Sequence, residues 1–284
     1  MGRSAAWCYG ASVFRLLIVL LALVLASAAA AGPLTVAAPR GAFADLVTAL
    51  ARAFEAQSGT PVSVASVAGA DLVQAARASG AAAVILPDRI APEARAEGAT
   101  RLVVFTSDVV LVGLRADRAR VRGLEDMRKA ARWIAGAHAL TVGSSPQLGV
   151  KALEQSIWTG AGVNVRARPN WYEEADGDEA AVAEKAAGLG AYVLIERATW
   201  AGMRDRRGLE VIASGDPALR TTWVGVLIDP DAPGARAWQA WLASPAGREA
   251  IGAARLGGVA PLTPPASRQQ APPPDAPGRP LGPG

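Results

Sequence analysis

Short apolar runs of strand length alternate with amphipathic helical stretches along most of this 284-residue chain, and that alternation restricts the folds open to it. Leu34-Thr-Val-Ala-Ala38 reads as a short buried strand. After Pro39-Arg40-Gly41, the residues Phe43, Leu46, Val47, Leu50 and Phe54 recur at spacings of three and four. They form the apolar stripe of a helix that ends at Ser58-Gly59, ahead of Pro61. Strands are expected at 62–67 and 82–86, with a helix at 71–79 between them and a short helix at 92–97 after. Extended runs at 102–105 and 108–114 follow. In the second half, helices near 124–135, 150–159, 179–187 and 197–204 alternate with strands near 139–142, 163–167, 191–195, 211–213 and 223–228. Helices at 235–242 and 245–254 close the body. The order predicts an α/β fold of two similar lobes with mostly parallel sheet.

Apolar residues make up 51% of the chain and charged residues 19%, so a large core forms and global disorder is excluded. The sequence pI of about 9.7 suggests a basic protein, but the location of the charge says otherwise. Arg3, Arg15, Arg268, Arg279 and Asp275 lie outside the body, which keeps 25 basic against 24 acidic residues. A near-neutral body lacks the basic footprint of a nucleic-acid partner. No Gly-x-Gly-x-x-Gly turn and no phosphate loop occurs, so no cofactor is implied.

Residues 1–31 have the build of a signal peptide: Arg3 and Arg15, an apolar run of eleven from Leu16 to Ala26, then small residues. Eleven helical residues reach only about half the hydrocarbon core of a bilayer. Export to the periplasm or beyond the cell is therefore expected. The only cysteine, Cys8, precedes the apolar run, and His138 is the only histidine. Thiol chemistry, a Ser/His/Asp triad and a multi-histidine metal site are excluded on these counts, and no enzymatic activity is expected. Residues 261–284 hold nine prolines and read as a disordered, partly polyproline tail.

Trp171-Tyr172-x-Glu174, Ala191-Tyr192-x-Leu194 with Arg197, Gly215-Asp-Pro-Ala-Leu219 and Ser244-Pro-Ala-Gly247 resemble the matching stretches of periplasmic tungstate-binding proteins. The first lobe, with Phe54-Glu55 and Ser58-Gly59, is similar to the molybdate-binding relatives. The resemblance runs from about Leu34 to Gly258. It implies a two-lobed type 2 periplasmic-binding-protein fold with a ligand cleft between lobes, and crossings at 108–114 and 223–228. It places lobe 1 at 32–112 and 223–260 and lobe 2 at 113–222. It also implies a monomer that takes a small-molecule or oxyanion ligand and delivers it to the membrane permease of an ABC importer.

Such proteins grip an oxyanion with hydroxyls, backbone N–H groups and helix N-termini, which carry partial positive charge. This chain departs from all three of the family's gripping motifs. The first turn is Ala37-Ala38-Pro39-Arg40, with no hydroxyl and a proline that has no N–H. Arg40, Gly41 and Gly69 are the candidates on that side. The second turn is Ser144-Ser145-Pro146-Gln147-Leu148-Gly149, where Ser144 takes the place of an arginine. Ser144, Ser145 and Gln147 are its candidates. The third is Asp176-Gly177-Asp178-Glu179, acidic where the family is glycine-rich.

Two readings of that acidic turn stand. Asp176 and Glu179 form a capping box at their own helix start, or Asp176 and Asp178 face the cleft and retune it toward a cation or an amine-bearing solute. Trp171 and Tyr172 complete the candidate set, as cleft lining or as core. The expected function is an exported solute-binding protein, with a diverged solute or a lost ligand and an interaction role as alternatives. Because the apolar run is short and ends in small residues, the mature chain should begin between Ala29 and Pro33. N-terminal sequencing of the exported protein checks this, and recovery of Met1 or Gly2 overturns it.

Overall fold

A computed structural model describes residues 33–69, 71–90, 101–145 and 148–266 of the chain. The expected signal peptide, the helix expected at 92–97, Gln147 and the residues beyond 266 lie outside the described residues. Strand β1 (Leu34–Pro39) leads into helix α1 (Ala42–Ser58), which buries Phe43, Leu46, Val47, Leu50 and Phe54 as the sequence stripe predicts, and Ala51 beside them. Gly59 ends the helix in the left-handed region at φ 70°, where its N–H caps the Glu55 carbonyl. Strand β2 (Val62–Val67), helix α2 (Leu72–Ala78) and strand β3 (Ala83–Pro87) follow. All five residues of β3 are buried, because it lies between β1 and a later strand with layers on both faces.

The runs at 102–105 and 108–114 form one strand, β4 (Arg101–Leu114). It pairs up to Asp108 with β9 (Arg220–Leu227), and from Val109 onward with β7 (Val193–Glu196) and β8 (Leu209–Ala213). The change of partner between Asp108 and Val109 is where β4 passes from one lobe to the other. The crossing therefore falls at the very start of the expected 108–114. On β9 the residues Trp223–Leu227 already pair with β3 inside the first lobe, so its crossing lies near Arg220–Thr222. Lobe 1 has the order β2-β1-β3-β9-β4. Its pairs are parallel at β1–β2 and β1–β3 and antiparallel at β3–β9 and β4–β9, which corrects the expectation of a mostly parallel sheet.

In lobe 2, β5 (Thr141–Gly143) pairs in parallel with β6 (Tyr172–Glu174) and meets β7 through a Thr141–Tyr192 bridge. Helices α3 (Met127–Gly136) and α4 (Gly149–Gly160) cover one face; α5 (Glu179–Leu189) and α6 (Arg197–Gly202) cover the other. The strand expected at 163–167 is a 3-10 turn, Val165–Ala167, closed by Arg168 at φ 50°. Val165 is buried in the lobe-2 core there, with Val163 packed against it.

Helices α7 (Ala235–Ala243) and α8 (Pro245–Ala253) return to lobe 1. Phe54, Trp238 and Trp241 pack with ring centroids 5.4 to 5.6 Å apart, and Phe43 stacks on Trp223 at 3.8 Å. The chain stays ordered past the expected start of the tail. Leu262 is buried, and Thr263 exchanges two backbone hydrogen bonds of 2.8 Å with Thr106. Burial of one leucine and two ladder bonds offset the ordering entropy that the prolines alone could not.

On its way there the chain passes α6 closely. Gly257, at φ 53°, leaves no room for a Cβ, which would run into the Ala201 carbonyl. Gly258, at φ 80°, faces open space. Gly257→Ala should therefore lower the thermal midpoint clearly more than Gly258→Ala, which carries only the cost of a positive φ, about 1 kcal/mol. Equal midpoints for the two variants would remove the close approach as an element of the fold.

Candidate ligand-binding cleft

Where the lobes meet, a cleft of about 1300 Å³ is walled by the loop after β1, the starts of α1, α4 and α5, the end of β7, α6 and the Leu256–Gly257 segment. It lies at the carboxyl ends of β1 and β7, the usual place for a ligand in an open α/β sheet. Trp223 forms part of its floor.

Two helices arrive with free N-termini. Gly41 at the start of α1 adopts φ 86°, and Leu148 precedes α4; neither supplies a side-chain cap. Their first N–H groups are therefore left for another acceptor. Arg40 is exposed beside the first of these starts, its own N–H held by the Val67 carbonyl at 2.9 Å. The third helix differs. Asp178 caps α5 by accepting from the Ala181 N–H at 3.0 Å, and this places its carboxylate at the cleft wall. The expected capping box is thus corrected: Asp178 is the cap, Asp176 is exposed outside the lining, and Glu179 turns inward.

Glu179 accepts from the Thr199 hydroxyl at 2.5 Å. Its carboxyl is pushed up to about 7, first by burial and also by Asp178, while the Thr199 hydroxyl and the backbone of Glu196 pull the other way. Glu196, at the end of β7, is 4% exposed. It accepts from the Ser107 hydroxyl at 2.9 Å and from the Thr221 hydroxyl. Burial, then the Glu179 charge, hold it well above the usual carboxylate range. Ser107 in turn accepts from the Trp223 indole N–H at 2.8 Å. Beside the pair, Arg197 forks onto Asp108 through bonds of 2.6 to 2.8 Å.

The sequence candidates divide among these places. Arg40, Gly41, Gly69 and Asp178 line the cleft. Ser144 and Ser145 are buried behind the start of α4, and the Ser144 N–H donates to Glu154 at 2.8 Å. Trp171 and Tyr172 sit in the lobe-2 core, packed with Trp158 at 5.7 and 6.0 Å between ring centroids. The Tyr172 hydroxyl donates to Glu154 at 2.5 Å and accepts from Lys151 at 3.1 Å; with all its polar needs met there, the ring stays inside. Burial and the Glu154 charge raise its phenol far above the ordinary tyrosine value. This network also explains Gly143, since a Cβ there would strike the Tyr172 hydroxyl.

Glu196, Thr199, Ser107 and Thr221 escaped the sequence reading. One signal for Glu196 was available: a charged residue closing an apolar strand, at the sheet end where ligands bind. Among the described residues no group of three or more His, Cys, Asp or Glu is placed to hold a metal ion.

The bacterial extracellular solute-binding protein family matches residues 34–254, and the chain belongs to that family. A relative from Haloferax volcanii, named as an ABC transporter anion-binding protein, is 27% identical over 223 residues. The match covers 72% of this chain and 64% of that relative, less than two thirds of its length. A tungstate-binding protein from Peptoclostridium acidaminophilum is 23% identical over 210 residues, covering 70% and 73% of the two chains. The solved tungstate-binding protein of Desulfovibrio alaskensis G20 superposes with a TM-score of 0.71 at 24% identity, over 83% of this chain and all of that one. The shared architecture is the two-lobed type 2 periplasmic-binding-protein fold.

The raised Glu179 value has a consequence for stability. A carboxyl that holds its proton longer in the folded state than in the unfolded one adds stability below the unfolded value, and that contribution fades as pH rises. Between about pH 4.5 and 7 the melting temperature should fall, each unit of upward shift corresponding to about 1.4 kcal/mol. Glu179→Gln, which stays neutral, should flatten that slope; a calorimetric pH series that leaves it unchanged overturns the assignment.

Proposed function

We propose that the chain is an exported solute-binding protein that takes an oxyanion such as tungstate or molybdate into its cleft and hands it to the permease of an ABC importer, without chemistry of its own. One observation carries this reading: the uncapped starts of α1 and α4, one from each lobe, open onto the same cleft beside Arg40. Unsatisfied N–H groups and a guanidinium are what a tetrahedral anion requires. The names of the Haloferax and Peptoclostridium relatives support the anion class. Gripping from both lobes also gives a reason for closure, since the anion completes its contacts only when the lobes approach about the β4 and β9 crossings. Arg40, Gly41 and Gly69 on lobe 1 and the Gly149 and Val150 N–H groups on lobe 2 are the proposed grip.

A second reading has its own support. Asp45, Asp178, Glu179 and Glu196 all line the cleft, which favours a cationic or organic solute over a bare dianion.

Isothermal calorimetry of the exported protein with sodium tungstate, sodium molybdate, divalent cations and small organic amines separates the two. Oxyanion binding that drops about tenfold or more in Arg40→Ala, the loss of one charge-assisted contact, supports the first reading. Solution scattering should then show a smaller radius of gyration with the anion bound. Binding of cations or organic amines in place of oxyanions overturns it in favour of the second.

A further inference from the structure

Two carboxyls in the wall of an anion-binding cleft, Glu196 buried and Glu179 half-buried, are a contradiction unless their charge can be removed. Glu179 and Glu196 both line the cleft, from neighbouring elements of lobe 2. The hydrogen bonds recorded for their carboxyls come from neutral donors, the hydroxyls of Thr199, Ser107 and Thr221 and a backbone group. Among the described residues neither carboxyl forms an ion pair. The nearest cation on α6, Arg197, is committed to Asp108 on β4. The other charges around the pair are Asp178 on its own helix, Arg40 and Asp45 at the α1 start, and Arg204 and Arg206 beyond α6. Arg206 lies over the Trp200 ring at 4.5 Å, its guanidinium also reaching the Trp200 carbonyl.

We infer that Glu179 and Glu196 make anion capture proton-coupled: as an oxyanion enters the cleft the pair takes up a proton, and these two residues set the pH range in which the anion is held. The inference rests on the oxyanion reading above. An anion entering beside the pair repels its negative charge, by about 1 kcal/mol at 4 Å in water and several times that in a partly buried site. The least costly response is protonation, because burial already pushes the Glu179 carboxyl up to about 7. A protonated carboxyl also becomes a donor, where a carboxylate can only accept. The coupling reaches the hinge as well. Glu196 holds one hydroxyl from each crossing strand, Ser107 on β4 and Thr221 on β9, so its charge state bears on the segments that move when the lobes close.

The test is calorimetry of the exported protein with sodium tungstate, from about pH 6 to about pH 8.5, in buffers of different ionisation enthalpy. Expected is uptake of about one proton per anion above neutrality, with affinity falling close to tenfold per pH unit there. Glu179→Gln, checked for an intact melting transition, should bind tungstate with a nearly flat pH profile and at least as tightly as the parent at the alkaline end. Glu196→Gln provides a second variant with the same expectation. Tungstate binding by the parent with no proton uptake and a flat profile overturns the inference and leaves the oxyanion reading standing. So does a slope that survives in both variants. No tungstate binding by the parent or by either variant at any pH overturns the oxyanion reading and this inference with it.

Discussion

Glu196 accepts a hydrogen bond from a hydroxyl on each strand that crosses between the lobes, and the arrangement of the cleft follows from that junction. Ser107 stands on β4 one residue before the strand changes partners, and Thr221 stands on β9 where it enters the first lobe. The same Ser107 hydroxyl accepts from Trp223, whose ring stacks on Phe43 in the first turn of α1. A chain of contacts thus runs from a lobe-2 carboxyl through both crossings to the helix start that fronts the cleft from lobe 1. Arg197, next along from Glu196, grips Asp108 at the same junction. Buried polar networks of this kind matter because each unsatisfied member would carry its full desolvation penalty.

The chemistry of the cleft comes from three helix starts that face it differently. The α1 and α4 starts carry no side-chain cap and present free donors, whereas α5 carries its own carboxylate cap in Asp178. An anion therefore meets favourable dipoles on two sides and carboxyl groups on the third. On the buried face of α4, Glu154 holds the Ser144 N–H, the Tyr172 hydroxyl and the Trp158 indole, so the turn that leads into the helix is anchored from inside the lobe. That anchoring holds Ser144 buried, away from the cleft wall, which the first residues of the helix form instead.

Local patterns were legible to different depths. The α1 stripe was readable residue by residue, because five large apolar positions at helical spacing have one way to bury together. The β4 strand looked like two runs, since Thr106 and Ser107 interrupt the apolar pattern; in the fold Ser107 and Asp108 are the junction itself, binding Glu196 and Arg197. Residues 163–167 looked like a strand because Val163 and Val165 alternate, yet only a turn forms there. At the cleft, Arg40, Gly41, Gly69 and Asp178 were legible from turn chemistry and family resemblance. Trp171 and Tyr172 were ambiguous from sequence, and their partners Trp158 and Glu154 place them in the core.

The sequence by itself determined the α/β class, the positions of most helices, the family resemblance and the absence of a histidine or cysteine constellation for catalysis. These depend on spacing and composition, which are properties of neighbours along the chain. Only the tertiary structure decided which carboxylates face the cleft. Asp176, Asp178 and Glu179 are nearly adjacent, yet one is exposed outside the lining, one caps its helix and one turns inward. Glu196 meets Ser107 across 89 residues of chain. The physical reason is that a carboxyl's role depends on its partners and its burial, and both are set when the two lobes and their crossing strands come together.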